Sequence, residues 1–90
     1  MKNVEVYSKK QCPFCDRAKL LLGSKGIDYR EIDITDDEAL TIEMVQRSRQ
    51  RTVPQIFIDD EAIGGYDQLA RLNAQGILNR KLDLEEKQAI

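Results

Sequence analysis

The sequence has no histidine and no tryptophan, and only two cysteines and two prolines among its 90 residues. A structural zinc site usually needs about four ligands, most often cysteine and histidine. Because the chain has no histidine and no second cysteine pair, it could hold zinc only at a site shared between chains. We therefore expect no metal site.

Long apolar runs and a strong charge of one sign are also missing. No run approaches the length of a membrane-spanning helix, and the opening residues MKNVEVYSKK resemble a strand rather than the apolar core of a signal peptide. The formal net charge of −2 gives no electrostatic basis for binding nucleic acid. We expect a cytoplasmic monomer with one domain over residues 1–84 and a polar, fraying end at 85–90.

The two cysteines, Cys12 and Cys15, are separated by two residues. A disulfide across so short a loop hardly constrains the unfolded chain, which disfavours a structural role. A lone C-x-x-C beside a β-α-β pattern is typical of redox chemistry. We expect Cys12 to be an exposed nucleophile of low pKa, because it directly precedes a helix and follows Lys9. Cys15, one helical turn inward, is then the resolving thiol, or else simply a small buried apolar residue.

The periodicity of apolar residues predicts the element order β-α-β-α-β-β-α. Strands are predicted at 3–8, 29–34, 55–59 and 61–64, and helices at 13–25, from the segment 35–38 to about 48, at 67–73 and at 77–84. The segment 35–38 has the spacing of a capping box, with Thr35 at the cap. Two parallel strands joined by a helix, followed by a hairpin, make a four-stranded mixed sheet with helices on both faces. This is an α/β fold of thioredoxin-like architecture.

Two further segments allow more than one interpretation. Pro54, in Thr52-Val53-Pro54, either begins the third strand or follows a cis peptide bond that leaves the Val53 backbone free to pair with an extended peptide. Gly64-Gly65-Tyr66-Asp67 is either an ordinary turn with Asp67 as a helix cap, or a helix start that offers N–H groups to a carboxylate.

The chain resembles the glutaredoxins from Met1 to about Leu82. The resemblance is carried by three segments in this order: SKKQCPFCDRAKLLL, RTVPQIFID and IGGYDQL. The resemblance implies a dithiol active site at Cys12 and Cys15, a cis-proline at Pro54, and glutathione as co-substrate without a tightly bound cofactor. It implies disulfide-bearing or glutathionylated partner proteins, with ribonucleotide reductase as one candidate. The glutathione-binding residues that it implies are Lys9, Phe14, Arg51, Thr52, Val53, Pro54, Gly65, Tyr66 and Asp67, with Arg47 as a less direct candidate.

Two residues depart from the family pattern. Arg49 stands where the family commonly has a glycine, so that Arg49 must adopt an unusual backbone angle or the second helix must end differently. Gln68 replaces an aspartate that helps to hold the γ-glutamyl amine of glutathione.

Two alternative functions remain open. The first is a glutaredoxin-like protein reduced by thioredoxin reductase, which the absence of tryptophan disfavours. The second is a dimer that binds an iron–sulfur cluster through Cys12 and glutathione, which Pro13 and Cys15 disfavour.

Overall fold

The computed structural model describes residues 2–82. Their strands and helices are, in chain order, β1 Val4–Ser8, α1 Pro13–Ser24, β2 Arg30–Asp33, α2 Glu38–Ser48, β3 Gln55–Ile58, β4 Glu61–Gly64, α3 Tyr66–Ala74 and α4 Ile77–Lys81. β1 pairs in parallel with β2 and antiparallel with β3, and β3 pairs antiparallel with β4. The sheet order is β2-β1-β3-β4, which confirms the predicted mixed sheet and its thioredoxin-like α/β architecture.

The sheet is covered on both faces because consecutive side chains of its central strands point to opposite faces and both faces carry apolar residues. Val4 and Val6 of β1 pack on one face with Ala18 and Leu22 of α1 and with the buried leucines of α3 and α4. The opposite face is covered by α2. The core on this side consists of Tyr7, Ile32, Ile34, Met44 and Phe57.

The first helix begins and ends where its sequence predicts. Pro13 is its first residue, where the missing N–H has no intrahelical partner to lose. Gly26 follows the helix at φ 71°, a left-handed angle that suits glycine. Cys15, Ala18 and Leu22 form its buried stripe. Within residues 2–82, no helix is long and apolar enough to cross a membrane.

The start of α2 differs from the predicted capping box. The cap is Asp37, whose Oδ1 accepts a hydrogen bond from the backbone N–H of Leu40 at 3.0 Å. Thr35 does not cap the helix, because its Oγ1 accepts the N–H of Lys10 at 2.9 Å and Asp36 turns the chain at φ 56°. The prediction that Thr35 caps α2 was therefore wrong.

Other boundaries shift by one or two residues. β3 ends at Ile58, because Asp59 and Asp60 both adopt left-handed angles, φ 49° and 70°, in the turn to β4. α3 begins at Tyr66 with Gly65 as its cap, so Asp67 is not the N-cap. The predicted end of the domain at 84 and the polar end at 85–90 lie outside the described residues.

Candidate active site

The two cysteines form a disulfide at the beginning of α1, with their Cα atoms 5.2 Å apart. Cys12 is the N-cap residue, and its sulfur accepts a hydrogen bond from the backbone N–H of Cys15 at 3.2 Å. Cys12 is half-buried, whereas Cys15 has no exposed surface. An incoming sulfur can therefore reach Cys12 but not Cys15, which matches the predicted roles of nucleophile and resolving thiol.

The loop from β1 to α1 holds Cys12 at the edge of the sheet where the parallel strands end. Gln11 adopts a left-handed angle of φ 56° immediately before Cys12. The backbone N–H of Lys10 is held by Thr35 in the turn after β2. Cys12 therefore lies where the carboxyl end of β1 meets the N-terminus of α1, and its sulfur accepts the N–H of Cys15 from the first turn of that helix.

A groove of about 200 Å³ opens beside the first turn of α1. It is lined by Phe14, Gln50, Thr52, Val53, Pro54, Gly65, Tyr66, Asp67 and Gln68. The peptide bond between Val53 and Pro54 is cis, as the second of the two interpretations of that proline requires. The groove therefore combines the loop before β3, the turn before α3 and one aromatic residue of α1.

Gln55 supports this loop from inside the protein. Its side chain is 1% exposed, and its Nε2 donates to the carbonyl oxygen of Thr52 at 2.9 Å and to Thr52 Oγ1 at 3.2 Å. On the opposite wall, a Cβ added at Gly65 would lie 3.4 Å from the carbonyl oxygen of Pro54. The two walls therefore approach closely enough for a Cβ at position 65 to make van der Waals contact with the Pro54 carbonyl.

Aromatic side chains form the rim of the groove nearest the disulfide. Phe14 is 51% exposed, and its ring centre lies 6.2 Å from that of Tyr66. The guanidinium carbon of Arg17 lies 5.1 Å from the Phe14 ring centre, within the range of a cation–π interaction. The rim is thus apolar, with a cation on its outer side.

Seven of the residues that the sequence predicts for glutathione binding line this groove together. They are Phe14, Thr52, Val53, Pro54, Gly65, Tyr66 and Asp67. Lys9 and Arg51 are exposed and are not among its lining residues. Lys9 instead borders a separate depression with the acidic residues at the start of α2.

Arg47 also lies away from the groove, on the face of the sheet that α2 covers. Its guanidinium donates to Glu5 Oε1 at 2.9 Å, to Asp60 Oδ1 at 3.1 Å and to the Tyr7 hydroxyl at 2.7 Å. Its central carbon lies 4.0 Å from the ring centre of Phe57. These contacts engage the charge of Arg47 in the core rather than at the active site.

The Tyr7 hydroxyl is the polar end of a buried ring and contacts the guanidinium of Arg47. The hydroxyl donates a hydrogen bond to a carboxylate oxygen of Glu43 and accepts one from Arg47. Burial, followed by the hydrogen bond to Glu43, raises the pKa of Tyr7 above its ordinary value. Tyr7 is therefore neutral at physiological pH and fixes α2 against the sheet.

A second polar cluster ties α1 to the edge strand β2. Glu31 Oε2 accepts hydrogen bonds from Ser8 Oγ at 2.6 Å and Lys19 Nζ at 2.9 Å. Lys19 Nζ also lies 3.8 Å from Asp16 Oδ1. The hydrogen bonds from Ser8 and Lys19 lower the pKa of Glu31, and the bond to Glu31 raises the pKa of Lys19. This cluster anchors the helix that carries both cysteines.

Sequence reasoning missed Gln50 as a residue that lines the groove, and it noted Gln68 at the expected glutathione site but missed its role as a helix cap. Gln68 Oε1 accepts the backbone N–H of Gly65 at 2.9 Å, which is half of a capping box. The three-residue spacing between Gly65 and Gln68 is a local signal that could have revealed this contact. No local signal indicates Gln50, which reaches the groove only because Arg49 ends α2 in a left-handed conformation, φ 61° and ψ 23°.

An accessible sulfur at a helix N-terminus, a buried partner three residues on and a cis-proline loop on a four-stranded mixed sheet define a thioredoxin-like thiol–disulfide oxidoreductase. Within that class, the chain belongs to the glutaredoxin family. The family model described as Glutaredoxin matches residues 4–63. The chain is 52% identical over 79 residues to Glutaredoxin 3 of Escherichia coli K12, covering 88% of this chain and 95% of that protein.

Solved glutaredoxin structures share the fold. The buckwheat glutaredoxin–glutathione complex superposes with a TM-score of 0.83 at 32% identity, over 91% of this chain and 77% of that one. The solution structure of glutaredoxin from Brucella melitensis gives 0.82 at 40% identity, over 98% and 96% of the two chains. The family assignment thus agrees with the fold, the dithiol and the cis-proline loop.

Proposed function

We propose that this chain uses glutathione to reduce protein disulfides and glutathione mixed disulfides, as a cytoplasmic monomer whose domain spans residues 1–84. The observation that carries this proposal is the groove beside the first turn of α1, which follows the half-buried Cys12 and includes Val53, whose backbone makes no hydrogen bond within residues 2–82. A tripeptide thiol bound there would bring its own sulfur against Cys12. The glutathione bound to the buckwheat protein supports this choice of ligand.

Backbone groups of the groove suit the middle and the γ-glutamyl end of the bound peptide. Within residues 2–82, the N–H and C=O of Val53 make no hydrogen bond, so they can pair with the cysteinyl residue of glutathione as an added strand would. The N–H groups of Tyr66 and Asp67 belong to the first turn of α3 and have no intrahelical partner. They can receive the γ-glutamyl carboxylate.

Cations near the groove favour an anionic ligand. We assign the glycyl carboxylate of glutathione to Lys9 and Arg51, whose exposed side chains are long enough to bend towards the bound peptide. Arg49 is also exposed on the loop that supplies Gln50. These charges attract glutathione, which carries a net negative charge, over distances of about a Debye length.

Reduction of a mixed disulfide needs only Cys12. Its thiolate attacks the glutathione sulfur, the client thiol leaves, and Cys12 holds the glutathionyl group. A second glutathione thiolate attacks that sulfur, which releases oxidised glutathione and restores the Cys12 thiolate. One free glutathione is consumed for each mixed disulfide, and it leaves as oxidised glutathione together with the glutathionyl group taken from the client.

Reduction of a protein disulfide needs both cysteines. Cys12 attacks one client sulfur and forms a mixed disulfide, and Cys15 then attacks Cys12 and expels the second client thiol. The resulting Cys12–Cys15 disulfide is reduced by two glutathione molecules. Ribonucleotide reductase is a candidate client by family resemblance.

Reduction of a small glutathione mixed disulfide, coupled to glutathione reductase and NADPH, tests the proposal. We expect Cys12→Ser to abolish turnover and Cys15→Ser to retain it. Reduction of a protein disulfide under the same conditions should be lost in both variants. If the wild type turned over only with thioredoxin reductase, the dithiol chemistry would stand but the assignment of the groove to glutathione would be wrong.

A further inference from the structure

Exposed apolar surface is concentrated on the helix that carries the disulfide. Among residues 2–82, the large apolar side chains that are exposed are Phe14 at 51%, Leu20 at 72% and Ile42 at 48%. Phe14 and Leu20 both lie on α1, whereas Ile42 lies on α2. A single exposed leucine is common, but Leu20 borders two depressions at once, one on each side of α1.

These depressions continue the groove of the active site. Tyr66 lines both the groove and the depression that contains Arg17, Leu20 and Leu21. Leu20 then joins this depression to a second one, which reaches Tyr29 at the start of β2. A continuous surface therefore runs from the groove along the outside of α1.

Arg17 gives this surface a charge. It stacks on Phe14, and within the described part of the chain no carboxylate lies within ion-pair distance of its guanidinium. Lys19, by contrast, is paired with Glu31 at 2.9 Å. The surface thus presents a cation without a partner between two apolar contacts, which complements a ligand with one acidic and one apolar residue.

We propose that this surface, the α1 track (Phe14, Arg17, Leu20, Leu21 and Tyr66), docks an extended segment of a client protein next to the cysteine that Cys12 attacks. The inference deepens the proposed function by naming the client class: segments with an acidic and then an apolar residue beside the reactive cysteine. An extended peptide fits because the track is shallow and directly continuous with the groove.

Helix geometry sets the spacing of the recognised residues. Leu20 is eight residues beyond Cys12, a rise of about 12 Å at 1.5 Å per residue. An extended chain covers about 3.3 Å per residue, so the apolar residue lies about four positions from the client cysteine. Arg17, about 7.5 Å along the helix, corresponds to an acidic residue about two positions away.

The test uses peptides whose cysteine carries thionitrobenzoate as a mixed disulfide. In the reduced protein, the Cys12 thiolate attacks the peptide sulfur, the bond to thionitrobenzoate breaks, and the coloured thiolate leaves. Cys15 then attacks Cys12 and releases the peptide thiol, so the protein loses two electrons. No glutathione takes part, which separates this step from the glutathione site.

One peptide has aspartate two positions and leucine four positions from its cysteine, and a second peptide has serine at both of these positions. Each peptide is made in two versions, in which these residues either precede or follow the cysteine. We expect the wild type to react about fivefold faster with the Asp/Leu peptide in one direction. Leu20→Ser should remove most of this preference, whereas Ile42→Ser, which shortens the exposed apolar residue on α2, should keep it. Both variants should react with the thionitrobenzoate disulfide of glutathione as fast as the wild type.

Equal rates for the two peptides in wild type would overturn the α1 track and leave the dithiol chemistry intact. An equal loss of preference in Leu20→Ser and Ile42→Ser would have the same meaning. Self-association of the wild type that Leu20→Ser abolishes would assign the face to a second copy of the chain instead. If the wild type reacted with no mixed disulfide at all, the proposed function would fail together with this inference.

Discussion

The side-chain Oε1 of Gln68 accepts a hydrogen bond from the backbone N–H of Gly65 at 2.9 Å. The contact closes the first turn of α3 and fixes the rim of the groove. A Cβ added at Gly64, whose φ of 114° already disfavours any side chain, would lie 3.0 Å from Cγ of Gln68. Gln68, which departs from the family pattern, therefore has a structural use here as a helix cap.

Replacing Gln68 tests this cap. Gln68→Ala removes the acceptor for the Gly65 N–H, and we expect the free energy of unfolding to fall by about 1 kcal/mol. Gln68→Glu keeps an acceptor at the same position and should cost less. Urea unfolding of the three proteins measures the difference, and equal midpoints for Gln68→Ala and wild type would show that the bond does not stabilise the helix start.

Arg47 should matter for stability rather than for redox chemistry. Arg47→Met removes the 2.9 Å partner of Glu5, a residue only 8% exposed, and leaves its carboxylate with the longer 3.5 Å contact to Arg30, so we expect a loss of about 2–3 kcal/mol. Arg47→Lys keeps the charge but cannot make all the hydrogen bonds of the guanidinium, so its stability should lie between those of Arg47→Met and wild type. Urea unfolding reports the loss, and the rate of thionitrobenzoate release should be unchanged in the folded variants. A variant of normal stability with slow release would instead place Arg47 in the active site.

The left-handed conformation of Arg49 costs free energy that glycine would avoid. Arg49→Gly should raise the stability of the protein by up to about 1 kcal/mol, because glycine adopts φ 61° without the clash of a Cβ. Arg51→Gly is the matched control. Its backbone is not left-handed, so a glycine there should only add entropy to the unfolded chain. A thermal melt that ranks Arg51→Gly above Arg49→Gly would contradict this explanation.

The Glu31 cluster predicts a loss of stability in acid. Hydrogen bonds from Ser8 and Lys19 lower the pKa of Glu31 in the folded state. A carboxyl with a lowered folded pKa stabilises the protein above its unfolded value, about 4.3, and this contribution disappears as the pH falls through the folded pKa. Urea unfolding should therefore show that the free energy of unfolding falls less between pH 7 and pH 3 for Glu31→Gln than for wild type.

The exposed Glu38 supplies the control for that experiment. Glu38→Gln removes one carboxyl elsewhere on the surface, at the first residue of α2, and leaves the hydrogen bonds of Glu31 in place. We expect its acid loss to follow that of wild type. An acid loss that both glutamine variants reduced to the same extent would indicate an effect of total charge rather than of the cluster.

Local signals in the sequence predicted most of the fold. Alternating valines identify β1, and Pro13 with the Ala18–Leu22 stripe identifies α1, because both patterns depend on neighbours within a few residues. The predictions of Thr35 and Asp67 as caps were wrong by two residues each, because Asp37 caps α2 and Gly65 caps α3. Thr35 lost its role because the distant Lys10 N–H occupies its hydroxyl.

The sequence by itself determined where the redox chemistry lies, since the spacing of Cys12 and Cys15 at a helix start depends on local geometry alone. Only the tertiary structure decided what lines the groove and that Arg47 lies away from it. Arg47 meets Glu5 and Phe57 because β1, β3 and α2 converge, although these residues are far apart in the chain. Pairings of this kind depend on the order of strands in the sheet, which brings together side chains that no local pattern connects.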